Sequence, residues 1–267
     1  MRGINNIGNT CYINSAVQCL FHASPDLVRF FRDHTYDGNC KVTSTYQMLS
    51  NSLMEKEEKA VDASEFVAAL EERFSGFEAG QQGDASEVII GLLDVFETSI
   101  GKDFIHGIFG GEMEQVVTYR KDADSGDVEE SATSERFTAL HIQVNEPTTF
   151  QHLYEQFEEP EGIEDYKDSS GKSHAVAIKH HLVRHWPKVI LVVFEQYYYK
   201  FNIHLPLMWN GKSLVAAIIH KGSQHGGHYA VIVQNKGEWW LKEDDEVTLS
   251  EAKIEDFIAE VAVAAYR

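Results

Sequence analysis

Cysteine is scarce in this chain: three residues in 267, at positions 11, 19 and 40, an odd number without a framework spacing. That excludes a disulfide scaffold and points to reduced thiols in the cytoplasm or nucleus. Positive charge is also short, since 23 Lys and Arg face 42 Asp and Glu for a formal net charge of −19. So acidic a chain argues against nucleic acid and anionic membrane as partners and leaves room for a basic protein. Long apolar runs are missing too. No stretch reaches the ~18 residues of a membrane span, and no charged-then-apolar leader precedes a small-residue cleavage site, so neither a span nor a signal peptide is indicated.

What is present suits a folded core, with 43% hydrophobic and 11% aromatic residues. The first hundred residues read as mostly α: DLVRFFRD continues from a first helix, and residues 45–75 carry amphipathic patterns such as SEFVAALEERF. VDASEFVAALEERF and GDASEVIIGLLDVF form a near-repeat. A single duplication is too little for a repeat architecture, so it reads as two similar helix starts with Asp, Ser and Glu as caps. Beyond residue 105, IFGGEMEQVVTYRKD alternates like a strand, KDADSGDVEES is a loop, and RFTALHIQV resumes strand alternation. NEPTTFQHLYEQF is helical with Thr148 or Thr149 as cap, and YKDSSGKSH is a second loop.

The chemistry begins at GINNIGNTCYINSAVQCLF, residues 3–21. A polar, Gly-containing segment runs into apolar residues at Ile13, Val17, Leu20 and Phe21, which is helical spacing, and Ser24-Pro25 closes the helix. Cys11 therefore sits where the helix begins, with Asn9 or Thr10 as N-cap. A thiol in the first turn faces unpaired N–H groups and the positive end of the helix dipole, which favour thiolate and make a nucleophile. The plain alternative is a small buried apolar Cys.

This string closely resembles the cysteine box of the ubiquitin-specific protease family, roughly G-L-x-N-L-G-N-T-C-Y-x-N-S-x-L-Q-x-L, which residues 3–20 meet nearly throughout. The resemblance assigns the nucleophile to Cys11 and an oxyanion-holding amide to Asn6. QQGDASEVIIGLL, from Gln81, resembles the family's glutamine box, Q-Q-D-A-x-E-F-L, with Gly83 inserted between Gln82 and Asp84 and Val88 in place of Phe. WPKVILVVFEQYYY resembles the strand after the fingers, with Gln196 and Tyr197 replacing Arg-Phe. GGHYAVIV, residues 226–233, resembles the histidine box, which makes His228 the group that takes the thiol proton and later protonates the leaving amine. The resemblance implies substrate contacts at Gln82, Asp84, Gly226, Gly227 and Tyr229, the two glycines leaving space beside the imidazole for a close-approaching backbone.

A carboxylate must orient His228, and Glu243, Asp244, Asp245 and Glu246 are adjacent candidates. HYAVIVQ and EWWLKED read as strands joined by a three-residue hairpin, Asn235-Lys236-Gly237, pairing Gln234 with Glu238. That register puts Asp244 opposite His228 and on the same face. The resemblance, which has an Asp or Asn at the first of these aspartates, agrees. A bulge would shift the choice by one.

Many family members hold zinc in their fingers through two C-x-x-C pairs. Here that region has no cysteine, and Asp168 and Gly171 stand near where one pair would fall, so no metal or other cofactor is expected and the fingers should be short. His181 and His185 could share a metal on a helix, but Val, Ile, Tyr and Pro187 around them favour strand.

The resemblance implies an α+β, papain-like cysteine peptidase fold in one catalytic domain spanning residues 1–267. A helical thumb occupies about 1–105, and shortened β fingers with a β palm about 106–267. It also implies a deubiquitinase that cleaves after the C-terminal Gly of ubiquitin through an acyl-thioester on Cys11, with ubiquitin and ubiquitinated proteins as partners and a monomer as the expected state. A protease for another ubiquitin-like modifier and a weakly active ubiquitin-binding scaffold stay open. So do a compact natural enzyme and a catalytic domain cut from a longer chain.

Overall fold

Helix α1, Cys11–Ala23, is apolar around most of its circumference, and eleven of its thirteen residues are buried. A helix of that composition needs neighbours on every side. The computed structural model, which describes residues 1–77, 80–120, 127–196, 200–223, 226–250 and 257–267, supplies them from both halves of the chain. The helical half adds α2 (Pro25–Asp33), α3 (Lys41–Met54), α4 (Ser64–Arg73), α5 (Ala85–Phe96), a π-helical turn at Glu97–Gly101 and α6 (Lys102–Phe109). Its core is aromatic: the Tyr46 ring packs against Phe31, Phe66 and Phe96 with centroids 5.2, 5.8 and 4.9 Å away. Such offset and edge-on pairs stabilise beyond the area they bury.

The second half is mainly β. Strands β1 (Gly111–Arg120) and β2 (Val128–Phe137) are followed by β3 (Leu140–Gln143), β4 (Thr148–Thr149), α7 (Phe150–Glu158), β5 (Glu161–Lys167), β6 (Ser173–His185) and β7 (Ile190–Glu195). Then come β8 (Ile203–Leu205), β9 (Met208–Trp209), β10 (Lys212–Ser223), β11 (Gly226–Asn235), β12 (Glu238–Glu243), β13 (Glu246–Leu249), β14 (Phe257–Ala259) and β15 (Val261–Tyr266). The large sheet runs β13-β12-β11-β10-β15-β7-β3, with β9 on β10; a four-stranded sheet runs β2-β1-β6-β5 and a small one β14-β8-β4. The large sheet is buried on both faces. Val193, Ile218, Val231 and Val263 join the helical core on one side, while Val192, Ala217, Ile232 and Ala264 join Phe150, Trp209 and Tyr266 on the other. That is the period-two alternation of strands sandwiched between layers.

The helices run to Phe109, so Ile108 and Phe109, read as the start of a strand, belong to α6 and β1 begins at Gly111; Thr149 caps α7 by accepting from the His152 N–H. Asp62 and Asp84 accept from Ser64 and Ser86 N–H groups at the starts of α4 and α5, so the near-repeat is two equivalent helix starts. Two loop readings are corrected: Val128–Ser131 lies in β2 and pairs with β1 up to Arg120, and of the stretch 166–174 only the middle is a turn, since Tyr166 and Lys167 end β5 where they pair with His174 and Ser173 of β6. Tyr197 and residues 121–126 lie outside the described residues. Gln196 is buried and bonds the Val261 carbonyl and the Phe201 N–H, a local packing role.

The finger region expected to be short is the four-stranded sheet, with strands of 10, 10, 7 and 13 residues. His181 and His185 lie on β6, as the strand reading requires. Near the β5–β6 turn the donors do not fit zinc. No thiol is present, and Asp168 already accepts from Ser170, from the Lys172 N–H and from His174, whose other ring nitrogen meets the Arg120 carbonyl.

Candidate active site

The segment before α1 is shaped by its polar residues. Gly8 and Asn9 take positive φ of 118° and 53°, and the Asn6 Oδ1 accepts from the Gly8 and Thr10 N–H groups at 3.0 and 3.3 Å. Neither residue expected to cap α1 does so. Thr10 makes no cap hydrogen bond and its hydroxyl accepts from the Ile7 N–H, while the Asn9 amide donates to the Gly80 carbonyl. The loop is therefore held from within by Asn6.

Cys11 is the first residue of α1, as the sequence predicts, and is 5% exposed. The expectation of a favoured thiolate is not met. Backbone N–H groups of Tyr229, Tyr12 and Cys11 itself pull the thiol pKa down, but burial and the Asp244 charge push it up, and the net shift is upward. Burial in a low-dielectric site disfavours the anion more than a few N–H dipoles favour it. The Tyr229 contact also locates the second half of the site, because α1 packs on β11 and His228 is the residue before Tyr229.

The hairpin register differs from the sequence reading. Asn235, not Gln234, pairs with Glu238, and the ladder ends at Val231–Lys242. The connection is a two-residue turn, Lys236-Gly237, with φ of 53° and 85°, the type I′ geometry that matches strand twist. Asp244 is therefore not paired across from His228. It sits at φ 53° in the turn between β12 and β13, and a different set of contacts brings it to Cys11. Its carbonyl accepts from the Ile4 N–H at 2.8 Å, and its carboxylate takes the Asn6 and Asn14 Nδ2 groups at 2.8 Å each, one on each oxygen. Asn6 thus directs its amide nitrogen at Asp244; an amide carries two N–H donors, and that bond uses one of them.

The remaining residues predicted to face substrate divide. Gln82 exchanges two hydrogen bonds with the Gly227 backbone, donating to its carbonyl at 3.1 Å and accepting from its N–H at 3.2 Å. Asp84 caps α5. Tyr229 is buried, with its hydroxyl at the Ala85 N–H and its pKa driven up by burial and then by Asp84. The room left by Gly227 is not free, because a Cβ there would strike the His220 ring and the Lys221 carbonyl. Gly226 is more open, with the Gln82 Oε1 3.8 Å from where its Cβ would be. The inserted Gly83 also gains a reason: a Cβ would run into the Tyr12 ring.

Sequence reasoning missed Asn14, Gln18 and Lys242. For Asn14 and Gln18 the signal was a polar amide at three and seven positions after Cys11 in a largely buried helix, which puts Cys11, Asn14 and Gln18 on one face.

Comparison with known proteins gives the same architecture. A family model described as ubiquitin carboxyl-terminal hydrolase matches residues 2–266. Human ubiquitin carboxyl-terminal hydrolase 17-like protein 15 is 24% identical over 289 residues, covering 93% of this chain and 50% of the relative. Human 17-like protein 10 is 25% identical over 290 residues, covering 93% and 52%. The chain spans about half the length of these curated relatives. The SAGA Ubp8/Sgf11/Sus1/Sgf73 DUB module bound to ubiquitin aldehyde superposes with a TM-score of 0.84 at 16% identity, over 100% of this chain and 69% of that chain. A structure of the yeast SAGA DUB module gives 0.80 at 17%, over 100% and 68%. These two likenesses speak for the fold.

Proposed function

This chain belongs to the ubiquitin carboxyl-terminal hydrolase family, and from that membership we propose that it is a thiol-dependent deubiquitinase cleaving the peptide or isopeptide bond after the C-terminal Gly of ubiquitin. The observation that carries the proposal is the meeting of three distant segments: Cys11 at the head of α1, the start of β11, which bears His228 and whose Tyr229 N–H meets the Cys11 thiol, and the Asp244 turn, which Asn14 of α1 grips.

In this reading His228 removes the Cys11 proton as the thiolate attacks the carbonyl, which avoids forming a free thiolate in a site that opposes it. The oxyanion takes N–H donors from Asn6 and from the Cys11 backbone. Collapse expels the amine, protonated by His228, and leaves an acyl-thioester. Water, deprotonated by His228, then releases the ubiquitin carboxylate and the thiol. Asp244, anchored by Asn6 and Asn14, is the carboxylate of the constellation. The proposed partners are ubiquitin and its conjugates, acted on by a monomer. The net charge of −19 supports the absence of nucleic acid and anionic membrane as partners, and three free thiols fit the cytoplasm or nucleus.

The test is a ubiquitin probe with a thiol-reactive group at its C-terminus. The wild-type chain is expected to be labelled at Cys11. Cys11→Ala is expected to hydrolyse nothing and to bind ubiquitin about as well as wild type, because loss of the nucleophile removes the covalent route and leaves the docking surface. Substantial turnover by Cys11→Ala would overturn the mechanism. Labelling only by a probe built on another modifier would reassign the substrate.

A further inference from the structure

Lys242 lies on β12, two residues before Asp244, and only 3% of it is exposed. Lysine is almost never so deeply buried without a charged partner. Its ammonium donates to the Gln18 Oε1 at 2.6 Å and to the Arg2 carbonyl at 3.1 Å, and among the described residues no carboxylate pairs with it. The Gln18 Nε2 donates to the same Arg2 carbonyl at 3.0 Å. One carbonyl of the N-terminal segment is thereby tied to both α1 and β12.

The segment that leaves this knot runs to the site. Arg2 is fixed by its guanidinium on the Lys59 and Ser52 carbonyls and on Glu55. Gly3 and Ile4 follow: the Gly3 carbonyl accepts from the Val61 N–H, and the Ile4 N–H donates to the Asp244 carbonyl. A Cβ on Gly3 would collide with the Asp244 and Asp245 carbonyls, so the strap lies flush against that turn. Asn5 and Asn6 come next, and Asn6 and Asn14 grip the Asp244 carboxylate. Both ends of the strap depend on one short stretch, at Lys242 on β12 and at Asp244 in the turn that follows it.

We propose that Lys242 is a positioning residue of the active site: its buried ammonium holds the strap Arg2–Asn6 against α1, and through it sets Asn6 and Asn14 on Asp244 beside Cys11. The role rests on the deubiquitinase reading. It also carries a pH signature. Burial lowers the Lys242 pKa to about 7. The titratable groups around it are His22 on α1, which feels the Lys242 charge and is pushed well below its ordinary value mainly by burial, the N-terminal amine and Arg267, which act on that same His22, and Arg2 on the strap. All are cationic or neutral. Above neutrality the ammonium therefore gives way to an amine, whose grip on the two oxygens is weaker.

The experiment measures hydrolysis of a fluorogenic C-terminal amide of ubiquitin by the full chain from about pH 6 to about pH 9. The wild type is expected to lose kcat on an alkaline limb that starts near neutrality. Lys242→Met is expected to lack that limb, with kcat about fivefold lower at acid pH and KM within about twofold, the pattern of a misplaced catalytic group and not of lost binding. An unchanged kcat profile, or a loss confined to KM, overturns the proposal. If Lys242→Met does not fold, the side-chain amide resonances of Asn14 and Gln18 in the wild type decide: they are expected to move together across the same pH range, and constancy overturns the proposal. Absence of labelling of wild-type Cys11 by the ubiquitin probe would instead sink the deubiquitinase reading, and the amide resonances would still test Lys242.

Discussion

At the residue scale the positions of the two members of the proposed nucleophilic pair were legible and that of the carboxylate beside them was not. Cys11 at a helix start and His228 at a strand start follow from local pattern, because each is set by residues within a few positions along the chain. Asp244 was selected by a register that is wrong by one, since Asn235 remains in the ladder and only Lys236-Gly237 turn. Continued without a break, the true register would have favoured Asp245. The chain instead turns at Asp244, which is half-buried and bonded to Asn6 and Asn14, while Asp245 is exposed. Asp244→Ala is expected to lower kcat about tenfold or more, as loss of the orienting carboxylate does elsewhere, and Asp245→Ala to change it by less than about threefold, as a surface substitution should. Steady-state kinetics of the two variants check this, and the opposite ranking would move the role to Asp245. The spacing of Asn14 from Cys11 put it on the right face, but its partner could not be read from sequence, being more than two hundred residues away and reached only through the tertiary fold.

At the scale of elements, helices and strands were readable because their periods are local, and the pairings between them were not. The two Asp-x-Ser helix starts, the Thr149 cap and the β7 strand all follow from short-range chemistry. The link between α5 and β11 does not. Gln82, just ahead of α5, meets both the N–H and the C=O of one residue of β11, Gly227, and so ties the helical half to the strand that bears His228. Gln82→Ala removes both bonds. Gln82→Glu keeps the bond to the Gly227 N–H and sets a carboxylate oxygen against the Gly227 carbonyl. At about 0.5–1.5 kcal/mol per hydrogen bond, the two lost bonds amount to about 1–3 kcal/mol, so kcat/KM is expected to fall by about fivefold to about a hundredfold in the Ala variant, and the Glu variant is expected to lose activity as well. Measured kcat/KM for a fluorogenic ubiquitin amide decides, and a Glu variant as active as wild type would show that the two-way contact does not matter for turnover.

For the whole molecule, the charge of −19 was plain from composition, but which surface carries it was not. Around the Cys11 end of α1 the fold collects Asp84 and Glu87 from α5 together with Asp244, Asp245 and Glu246 from the β12–β13 turn, and Glu87, Asp245 and Glu246 are exposed. The tail and binding face of ubiquitin carry several Arg and Lys, so this rim would attract the proposed substrate before contact. Attraction between exposed charges is screened over a Debye length of about 10 Å at about 0.1 M salt and about 3 Å at about 1 M. It acts mainly on encounter and much less on bonds formed after docking. KM for a fluorogenic ubiquitin amide is therefore expected to rise severalfold between low and high salt with kcat nearly constant, because the chemical step occurs in a buried site that salt does not reach. Replacing Asp245 and Glu246 together by Asn and Gln is expected to flatten the salt response without altering kcat. A KM that is flat with salt in the unaltered chain would mean that the negative charge is distributed for solubility and plays no part in capture.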